Sequence, residues 1–396
     1  MFPTDVVIVA GARTAMARYT GVFSEVSAIE LGAHAAKGAV QRSGVDPGEF
    51  DHVVFGNVLQ TSSDAIYGAR HVGLKAGLKV ETPAVTVNRL CGSGIEAIAN
   101  AAQRLLLGEA SMVLAGGMEN MTQAPFVIRG ARTGLKLGGG TLEDFLFVGL
   151  TDSYCGLPMA LTAEKLAALT GITRADADAY ALRSQQAAEA AAKAGVFKEE
   201  IVPVELKQGR KSIVVTEDDH RRPETTLETL SKLPPSFQKD GIVTAGNASG
   251  IVDGAAAVVV TREKTAKERG LKPFGKIVSW AVVGVDPSIM GIGPVPSTRK
   301  ALQFAGLKLE QIDRVEVNEA FAPQYLAVEK ELGLSREKTN VNGGAIALGH
   351  PLAASGTRLV MTVLNELRRK GLKYGLATAC IGGGQGIAMI VEALGN

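Results

Sequence analysis

The residues best suited to chemistry are two cysteines and one histidine that lie among glycines. Cys91 lies in Asn88-Arg-Leu-Cys-Gly-Ser-Gly94, His350 in Asn342-Gly-Gly-Ala-Ile-Ala-Leu-Gly-His-Pro351, and Cys380 in Cys380-Ile-Gly-Gly-Gly-Gln-Gly386. Two of the chain's three cysteines therefore stand where glycines expose the backbone. A thiol supplies a nucleophile, an imidazole moves a proton near neutral pH, and backbone N–H groups stabilise an oxyanion. The pattern indicates thiol chemistry with backbone amides as anion donors.

Cys91 is predicted to stand between a strand over 84–87 and a helix that begins near Ser93. A helix N-terminus favours the thiolate, which is the reactive form of cysteine. Gly92 and Gly94 leave the loop without side chains, so a substrate is expected to approach the backbone there. On position alone, a buried cysteine that packs as a small apolar residue is an equal alternative. With the second thiol and the histidine considered together, we interpret Cys91 as the nucleophile.

His350 and Cys380 have two interpretations each when considered alone. His350 is suited to taking a proton from a thiol or to donating a hydrogen bond to an oxyanion, and a structural histidine is the alternative. Cys380 is predicted to end a strand. Its thiol is suited to act as a redox partner or as an acid/base, and the lack of a Cys-x-x-Cys spacing argues against a redox pair. Asn318 also follows a predicted strand, and its amide is suited to holding a water or a carbonyl. Cys155 lacks such a setting, and we interpret it as incidental.

Two stretches of the chain match in register, which predicts a duplicated architecture. Residues 41–56 and 303–318 share the Gln, the Gly, an apolar-Asp pair and the following Val. Further on, Val87-Asn88 and Val341-Asn342 each open a segment with apolar residues at helical spacing, followed by an apolar strand. Each half therefore alternates strand and helix, a pattern typical of an α/β layer fold with mixed sheets.

The two halves differ by a long insertion. The last strand of the second half, predicted over 387–392, follows Cys380 almost at once, whereas its counterpart over 255–261 lies far beyond Gly117. Insertions at the carboxyl edge of a sheet are common places for binding elements. The predicted units are an N-terminal half over 1–119 completed by 249–270, an inserted loop domain over 120–248, and a C-terminal half over 271–396.

The composition of the 396 residues argues against several classes of partner. Charged residues make up 21% and the net charge is +2, so nothing indicates a nucleic-acid surface or a polybasic membrane patch. No apolar run reaches the roughly 18 residues of a membrane span. The sequence shows no convincing metal cluster. Cysteines that must stay reduced indicate a reducing compartment, and without a leader pattern we expect the cytoplasm, with the mitochondrial matrix as the alternative.

Six segments together resemble the thiolase family, and they follow that family's order from near the start of the chain to its end. The resemblance implies a thiolase fold, in which two duplicated βαβαβαββ halves form a five-layered αβαβα core with an inserted loop domain that binds CoA. It also implies a homotetramer, built as a dimer of dimers. The six segments are Asn88–Gly94, Thr244–Gly250, Met290–Pro294, Asn318–Phe321, Gly343–Pro351 and Cys380–Gly386.

The resemblance implies an acetyl-CoA C-acyltransferase that works through a Cys91 acyl enzyme, with acyl-CoA and CoA as substrates and no cofactor or metal. In this family's pattern His350 activates Cys91, and Cys380 exchanges the α-proton of acetyl-CoA. Asn318 holds a water that, with His350, binds the thioester oxygen of acetyl-CoA. The backbone amides of Cys91 and Gly382 form a second oxyanion hole. The matching residues expected at the CoA site are Arg222, Thr229, Ala245, Ser249, Met290, Ala320 and Phe321.

Two positions depart from the usual thiolase pattern. Pro158 stands where many acetoacetyl-CoA thiolases carry a histidine, and its surroundings resemble the mitochondrial 3-ketoacyl-CoA thiolase branch. We therefore expect an acyl pocket, edged by residues 145–159, that accepts chains longer than four carbons. An acetoacetyl-CoA-specific acetyl-CoA C-acetyltransferase is the alternative. Ala353 replaces a usual glycine, and its extra methyl group is expected to be tolerated.

Three other functions share part of these features. An acyl-CoA hydrolase would use Cys91, His350 and Asn318, but hydrolysis has no need of a second thiol. A non-catalytic binding subunit has no need of the complete set of catalytic positions. A decarboxylating condensing enzyme would place a second His or Asn where Cys380 stands.

Overall fold

The computed structural model describes residues 4–208 and 211–395. No described helix is long and apolar enough to cross a membrane. The strands are β1 (Val6–Arg13), β2 (Ala17–Arg18), β3 (His52–Gly56), β4 (Ala84–Val87), β5 (Met112–Glu119), β6 (Phe126–Ile128), β7 (Leu142–Asp144), β8 (Thr151–Asp152), β9 (Leu157–Pro158), β10 (Val204–Gln208), β11 (Lys211–Val215), β12 (Val252–Arg262), β13 (Gly275–Gly284), β14 (Arg314–Val317), β15 (Tyr374–Ile381) and β16 (Gln385–Ala393). The helices are α1 (Ala28–Ser43), α2 (Gly68–Lys75), α3 (Ser93–Leu107), α4 (Phe145–Gly149), α5 (Met159–Thr170), α6 (Arg174–Lys193), α7 (Leu227–Ser231), α8 (Glu263–Glu268), α9 (Pro294–Ala305), α10 (Ala322–Leu332), α11 (Ala345–Leu348) and α12 (Leu352–Lys370).

A mixed sheet runs through the molecule in the order β14-β15-β16-β13-β1-β12-β5-β3-β4, with β2 paired to β12. The two ends of this order mirror each other. β3 is parallel to β5 and β14 is parallel to β15, while β12 and β16 run antiparallel to β5 and β15. The halves meet where β1 pairs antiparallel with β13. The strand order confirms the predicted duplication.

Asp51 and Asp313, which match in the two repeated stretches, make the same contacts. Asp51 accepts two successive backbone N–H groups at the start of β5, at 2.7 and 3.2 Å. Asp313 accepts two successive backbone N–H groups at the start of β15, both at 3.0 Å. Asp51 precedes β3 and is bonded to the start of β5, and Asp313 precedes β14 and is bonded to the start of β15. The repeat therefore extends to individual hydrogen bonds.

The apolar residues form three main cores that define five layers. α3 and α12 lie between the two halves of the sheet and share a core with the inner faces of both, where Val113 and Ala377 point. Adjacent strand residues point to opposite faces, so Leu114 packs under α1 and α2, and Leu376 packs under α9 and α10. The order of layers is helix, sheet, helix, sheet, helix, and it confirms the predicted αβαβα core.

The segment between β5 and β12 carries α4 to α7 and three two-stranded ribbons, β6–β7, β8–β9 and β10–β11. Its longest helix is the Ala-rich α6, which begins after the N-cap Thr173 in a capping box. Buried Arg13 of β1 attaches this segment to the sheet through ion pairs with Glu200 at 2.8 Å and Asp218 at 2.7 Å. Loss of Arg13 would leave two buried carboxylates without their counter-ion, so this attachment is firm.

β5 and α12 approach each other more closely than side chains allow. Gly117 of β5 lies against the backbone of Ala353 near the start of α12. A Cβ added at Gly117 would stand 2.5 Å from the Ala353 carbonyl carbon and would overlap its oxygen. The methyl group of Ala353 is itself completely buried, as expected for a tolerated replacement. Gly117 therefore fixes how deeply α12 enters the core.

We predict that Gly117→Ala lowers the free energy of unfolding by about 1–3 kcal/mol, because an overpacked core must shift backbone to admit a methyl group. Urea denaturation followed by circular dichroism measures this change. Gly284→Ala is the matched control, since a Cβ at that strand glycine meets nothing nearer than an oxygen at 3.9 Å. Equal denaturation midpoints for the two variants would contradict the packing argument.

Candidate active site

Cys91 lies on a single 3-10 turn, Leu90–Gly92, which joins β4 to α3 where the sequence predicted a loop. Leu90 has a φ of 46°, a left-handed conformation that bulky residues seldom adopt. Such strain persists only where the surrounding structure imposes it, and it is often found beside functional groups. The turn therefore holds Cys91 in one orientation at the start of α3.

The glycines that flank Cys91 have a different role from the expected one. A Cβ at Gly92 would stand 2.6 Å from the Ile381 side chain, and a Cβ at Gly94 would overlap the backbone of Thr357. The space beside these glycines is filled by β15 and α12, so the prediction that they open the loop to a substrate is wrong. They instead allow the N-terminus of α3 to pack directly on both elements.

The environment of Cys91 keeps its thiol protonated at rest. Cys91 is half-buried, and burial raises its pKa to about 11. Hydrogen bonds from the backbone of Gly382 and of Cys91 itself offset part of this rise, whereas the nearby Glu119 carboxylate adds to it. The helix N-terminus, expected to favour the thiolate, is thus outweighed by burial. The thiolate must form when a substrate is bound.

His350 is buried and held at both ring nitrogens. Nδ1 lies 2.5 Å from the Ser355 hydroxyl, and Nε2 lies 3.2 Å from the Asn318 amide nitrogen. Burial, and then the charge of Arg358, lower the pKa of His350 to about 3. The imidazole is therefore neutral, so it can accept a proton at one nitrogen or donate from the other.

Cys380 is the second-last residue of β15, and it is completely buried. Burial, and then the nearby Cys91, raise the pKa of its thiol far above the ordinary value. It packs in a small apolar cluster with Met290 and Ala320. A second protonated thiol therefore lies close to Cys91, in an environment that strongly disfavours its charged form. Cys155, in contrast, lies in the turn between β8 and β9.

The loop over 244–250 connects two parts of the site through its backbone. Ser249 donates its N–H to the carbonyl of Ala320 at 3.0 Å, in the segment that follows Asn318. The carbonyl of Gly250 accepts the N–H of His350 at 2.9 Å. The loop therefore places the Asn318 segment and His350 relative to each other.

Three adjoining cavities lead from the surface to these groups. The inner cavity, of about 380 Å³, is bordered by Cys91 and His350, and the outer cavity, of about 690 Å³, is bordered by arginines. A third cavity of about 250 Å³ adjoins the outer one. All seven residues expected at the CoA site border this system: Arg222, Thr229 and Ala245 in its outer part, Ser249 where the outer and inner cavities meet, and Met290, Ala320 and Phe321 in its inner part.

Two residues that the sequence analysis missed hold the site together. Ser355, in the first turns of α12, fixes His350 through its hydroxyl. Glu119, the last residue of β5, accepts the backbone N–H groups of Leu59 at 2.9 Å and Ala353 at 3.1 Å, and burial raises its pKa to about 7. The only available signals were a serine five residues after His350 and an acidic residue that ends an apolar strand.

The arrangement can perform acyl transfer with protein groups alone. The Cys91 thiol and the neutral imidazole of His350 border the inner cavity, the backbone N–H of Gly382 bonds the Cys91 thiol, and the Cys380 thiol is buried close by. Within residues 4–208 and 211–395, no group of three or more His, Cys, Asp or Glu side chains could hold a metal ion.

Comparisons with known proteins agree with this geometry. The thiolase N-terminal domain matches residues 6–264, and the thiolase C-terminal domain matches residues 271–393. The mitochondrial 3-ketoacyl-CoA thiolase of Homo sapiens is 54% identical over 389 residues, which cover 98% of each chain. The acetyl-CoA acetyltransferase of Pseudomonas aeruginosa is 49% identical over 387 residues, covering 97% of this chain and 98% of its own.

A solved structure is equally similar. The crystal structure of human mitochondrial 3-ketoacyl-CoA thiolase in complex with CoA has a TM-score of 0.95, with 54% identity and 98% of each chain covered. Matches of this extent cover both halves of the sheet and the segment between them. The chain belongs to the thiolase family, and it is an acyltransferase that cleaves 3-ketoacyl-CoA with CoA and catalyses the reverse Claisen condensation.

Proposed function

We propose that Cys91 carries the acyl group, that His350 activates it, and that Cys380 is the second acid/base. The observation that carries this proposal is that Cys91 and neutral His350 border the inner end of one cavity, with the buried Cys380 thiol close behind Cys91. Claisen chemistry needs a nucleophile and a separate base beside oxyanion donors. An acyl-CoA hydrolase would leave Cys380 without a role.

We propose that CoA lies along the three cavities. Its phosphates would occupy the outer cavity beside Arg222, where Arg18 and Arg221 also lie, each paired with a carboxylate. Its pantetheine arm would pass Ser249 and reach the apolar inner cavity beside Met290. The name of the human structure, a complex with CoA, supports this placement. CoA is then a substrate of the reaction and not a cofactor.

In the degradative direction, the Cys91 sulfur attacks the 3-keto carbon while Nε2 of His350 takes the thiol proton. The C2–C3 bond breaks, its electron pair forms the enolate of acetyl-CoA, and Cys380 protonates that carbon. A second CoA thiol gives its proton to the Cys380 thiolate and attacks the acyl group on Cys91. The shortened acyl-CoA leaves, and the proton on His350 returns to Cys91. No charge then remains in the buried site.

Two sets of donors are proposed to stabilise the oxyanions. The backbone N–H groups of Cys91 and Gly382 face the acyl oxygen, and His350 with a water on Asn318 faces the thioester oxygen of acetyl-CoA. Buried Asn318 Oδ1 has no hydrogen-bond partner within the described residues, so the amide has the capacity to bind a water. Both sets act in a buried site where such hydrogen bonds are strong.

The Ser355 hydroxyl is proposed to let His350 act both as a base and as an oxyanion donor. It lies 2.5 Å from Nδ1 and 3.2 Å from the carbonyl oxygen of Pro351. When the hydroxyl donates to Pro351, Nδ1 carries the proton and Nε2 is a base. When it donates to Nδ1, the proton lies on Nε2, which becomes an oxyanion donor.

We propose that the substrates include 3-ketoacyl chains longer than four carbons. Pro158 of β9 borders the inner cavity together with Leu146, Leu150 and Met159. Proline has neither an N–H nor a polar side chain, so this wall is apolar where a histidine would make it polar. An acetoacetyl-CoA-specific acetyltransferase is the second candidate, and the name of the Pseudomonas aeruginosa relative favours it.

A homotetramer remains our proposal for the assembly. The β6–β7 ribbon exposes Phe126, Ile128 and Leu142, and apolar side chains presented together mark a contact surface. Sedimentation equilibrium at micromolar concentration measures the assembly, and a monomer would contradict it.

The boundaries of the three units are also proposed: 1–119 with 249–270, then 120–248, then 271–396. The place of β12 between β1 and β5 supports the completed N-terminal half. Limited proteolysis that cuts first within 120–248 would agree with them, and first cuts within β5 or β12 would not.

For the compartment, the mitochondrial name of the human relative favours the matrix over the cytoplasm that we first expected. We propose a reducing compartment, because all three cysteines are unpaired and the chemistry needs two free thiols. Cell fractionation tests the choice, and recovery in an oxidising compartment would contradict the proposal.

We predict that the two catalytic cysteines fail at different steps. Cys91→Ser should form no acyl enzyme from acyl-CoA, since an alkoxide is far scarcer than a thiolate. Cys380→Ala should still acylate slowly, but it should lose α-proton exchange from acetyl-CoA by about 10²–10⁴-fold. Intact-mass spectrometry and deuterium exchange measure the two steps, with Cys155→Ala as the control. Normal exchange in Cys380→Ala would remove Cys380 as the base.

We predict that Ser355→Ala lowers kcat by about tenfold to a hundredfold without changing KM for CoA, because one hydrogen bond to a group that becomes charged is worth about 1.5–3 kcal/mol. Ser297→Ala is the matched control, since Ser297 is also a buried helix serine bonded to carbonyls of the preceding turn. If both variants kept the wild-type kcat, the proposed role of Ser355 would be lost.

We predict that kcat/KM falls by less than about a hundredfold from the four-carbon to the six-carbon substrate. One or two misplaced methylene groups usually change kcat/KM by no more than about that factor. Thiolysis of a series of 3-ketoacyl-CoA esters, each with CoA and with CoA omitted, measures this range. Cleavage without CoA would indicate a hydrolase instead. A larger fall would return the protein to the acetoacetyl-specific class.

A further inference from the structure

A buried carboxylate that the proposed reaction does not use lies behind the active site. The side chain of Glu319 is completely buried. Its Oε1 accepts the Tyr180 hydroxyl at 2.6 Å and the Asn340 amide N–H at 2.9 Å. Its Oε2 accepts the Ser184 hydroxyl at 2.7 Å and the backbone N–H of Ile346 at 3.1 Å. Four donors therefore hold one carboxylate in a single position.

This carboxylate connects the segments that carry two groups of the site. Glu319 directly follows Asn318 in the chain. Ile346 lies in α11, which ends two residues before His350. The Asn318 amide nitrogen and the His350 Nε2 atom lie 3.2 Å apart. The hydrogen bond from Ile346 to Glu319 thus links the two chain segments whose side chains make this contact.

The backbone on the other side of Asn318 is also fixed. The Asn340 side chain accepts the N–H of Val317 at 2.9 Å and donates to the carbonyl of Val317 at 3.0 Å. The N–H of Asn318 donates to the carbonyl of Thr378 on β15 at 2.9 Å. Asn318 is therefore held between Val317 and Glu319, and both neighbours are bonded to Asn340.

The start of α11 fits closely around the carboxylate. Gly344 is the N-cap of α11, and a Cβ added there would stand 2.3 Å from the Cδ atom of Glu319. The N–H of Gly344 donates to the Ser184 hydroxyl at 3.2 Å, and that hydroxyl donates to Glu319. A glycine at this position leaves the room that the carboxylate needs to reach the backbone of α11.

We infer that Glu319 is a positioning residue, which holds the Asn318 amide against His350 and so determines the strength of the oxyanion site for the enolate of acetyl-CoA. This inference rests on the proposed function, which assigns the thioester oxygen of acetyl-CoA to His350 and a water on Asn318. Glu319 borders none of the cavities described, so it acts through Asn318 and not on the substrate.

Acylation of Cys91 depends less on Glu319. In the proposed function the acyl oxygen faces the backbone N–H groups of Cys91 and Gly382. His350, which activates the thiol, is held separately by the Ser355 hydroxyl at Nδ1. A change at Glu319 therefore weakens one oxyanion site and spares the other.

An uncharged amide cannot replace this carboxylate. Each oxygen of Glu319 accepts an N–H group that cannot accept in return, from Asn340 at Oε1 and from Ile346 at Oε2. The Asn340 amide cannot turn round, because its oxygen accepts the N–H of Val317. In Glu319→Gln the new NH₂ group must therefore face one of these two N–H groups, and the segments must move apart.

We predict that Glu319→Gln slows α-proton exchange from acetyl-CoA by at least about tenfold relative to acylation of Cys91 by acetyl-CoA, since a small misplacement of an oxyanion donor is costly. Deuterium exchange and intact-mass spectrometry measure the two rates. Asp51→Asn is the matched control, because each oxygen of Asp51 also accepts one backbone N–H, at the start of β5 and far along that strand from Glu119. Its ratio of exchange to acylation should stay at the wild-type value.

Tyr180→Phe gives the same test with a smaller change in the core. It removes one donor to Glu319 and keeps the ring that stacks on Tyr325. The ratio of exchange to acylation should fall by about threefold, the effect of one ordinary hydrogen bond. A wild-type ratio in both Tyr180→Phe and Glu319→Gln would overturn the inference.

A double variant distinguishes positioning from a general loss of structure. Asn318→Ala combined with Glu319→Gln should exchange no more slowly than Asn318→Ala alone, because residues that act through one another do not add their effects. Additive losses, or equal losses of exchange and acylation in Glu319→Gln, would refute the positioning role. If Asn318→Ala alone exchanged at the wild-type rate, the proposed role of Asn318 would fail first, and this inference with it.

Discussion

The contact between α3 and α12 at the centre of the molecule sets the positions of the reactive groups. α3 begins two residues after Cys91, and α12 begins two residues after His350. The helices meet at glycines: a Cβ at Gly356 would stand 2.5 Å from the backbone nitrogen of Ile95. Cys91 and His350 are therefore placed by backbone packed on backbone, which allows far less variation than contact between flexible side chains.

That central position also explains why the site is uncharged at rest. Burial raises the pKa of both thiols and lowers the pKa of His350, so each group is neutral before a substrate binds. Positive charge lies on other residues. Buried Arg358 pairs with Glu316 at 2.9 Å, and other arginines border the outer cavity. The charged outer cavity and the apolar inner cavity thus offer different environments along one path.

The sequence predicted the scaffold more completely than the contacts within the site. Periodic apolar runs located β4, β5, β15 and the N-terminus of α3, and the pair Asp51 and Asp313 revealed the duplication because equivalent residues make equivalent hydrogen bonds. The CoA residues came from motif resemblance, since nothing local distinguishes Ala245 from other alanines. Glu119 and Ser355 were missed because their partners are brought to them by the fold. The role of Gly92 and Gly94 was misjudged because a glycine does not reveal what fills the space beside it.

The position of β12 has a consequence for how the chain is made. β12 lies between β1 and β5 in the sheet, so these two strands join the same sheet only through β12. β12 is synthesised after the whole segment over 120–248. α12, which packs against α3, is synthesised later still, and so is β15, the strand that carries Cys380. Until the last strands are made, Cys91 lacks the packing that buries it, and an exposed cysteine has a pKa of roughly 8.5 and is open to oxidants and electrophiles. The same packing that raises the pKa of Cys91 in the folded chain thus also protects its thiol, and that protection comes only when synthesis is nearly complete.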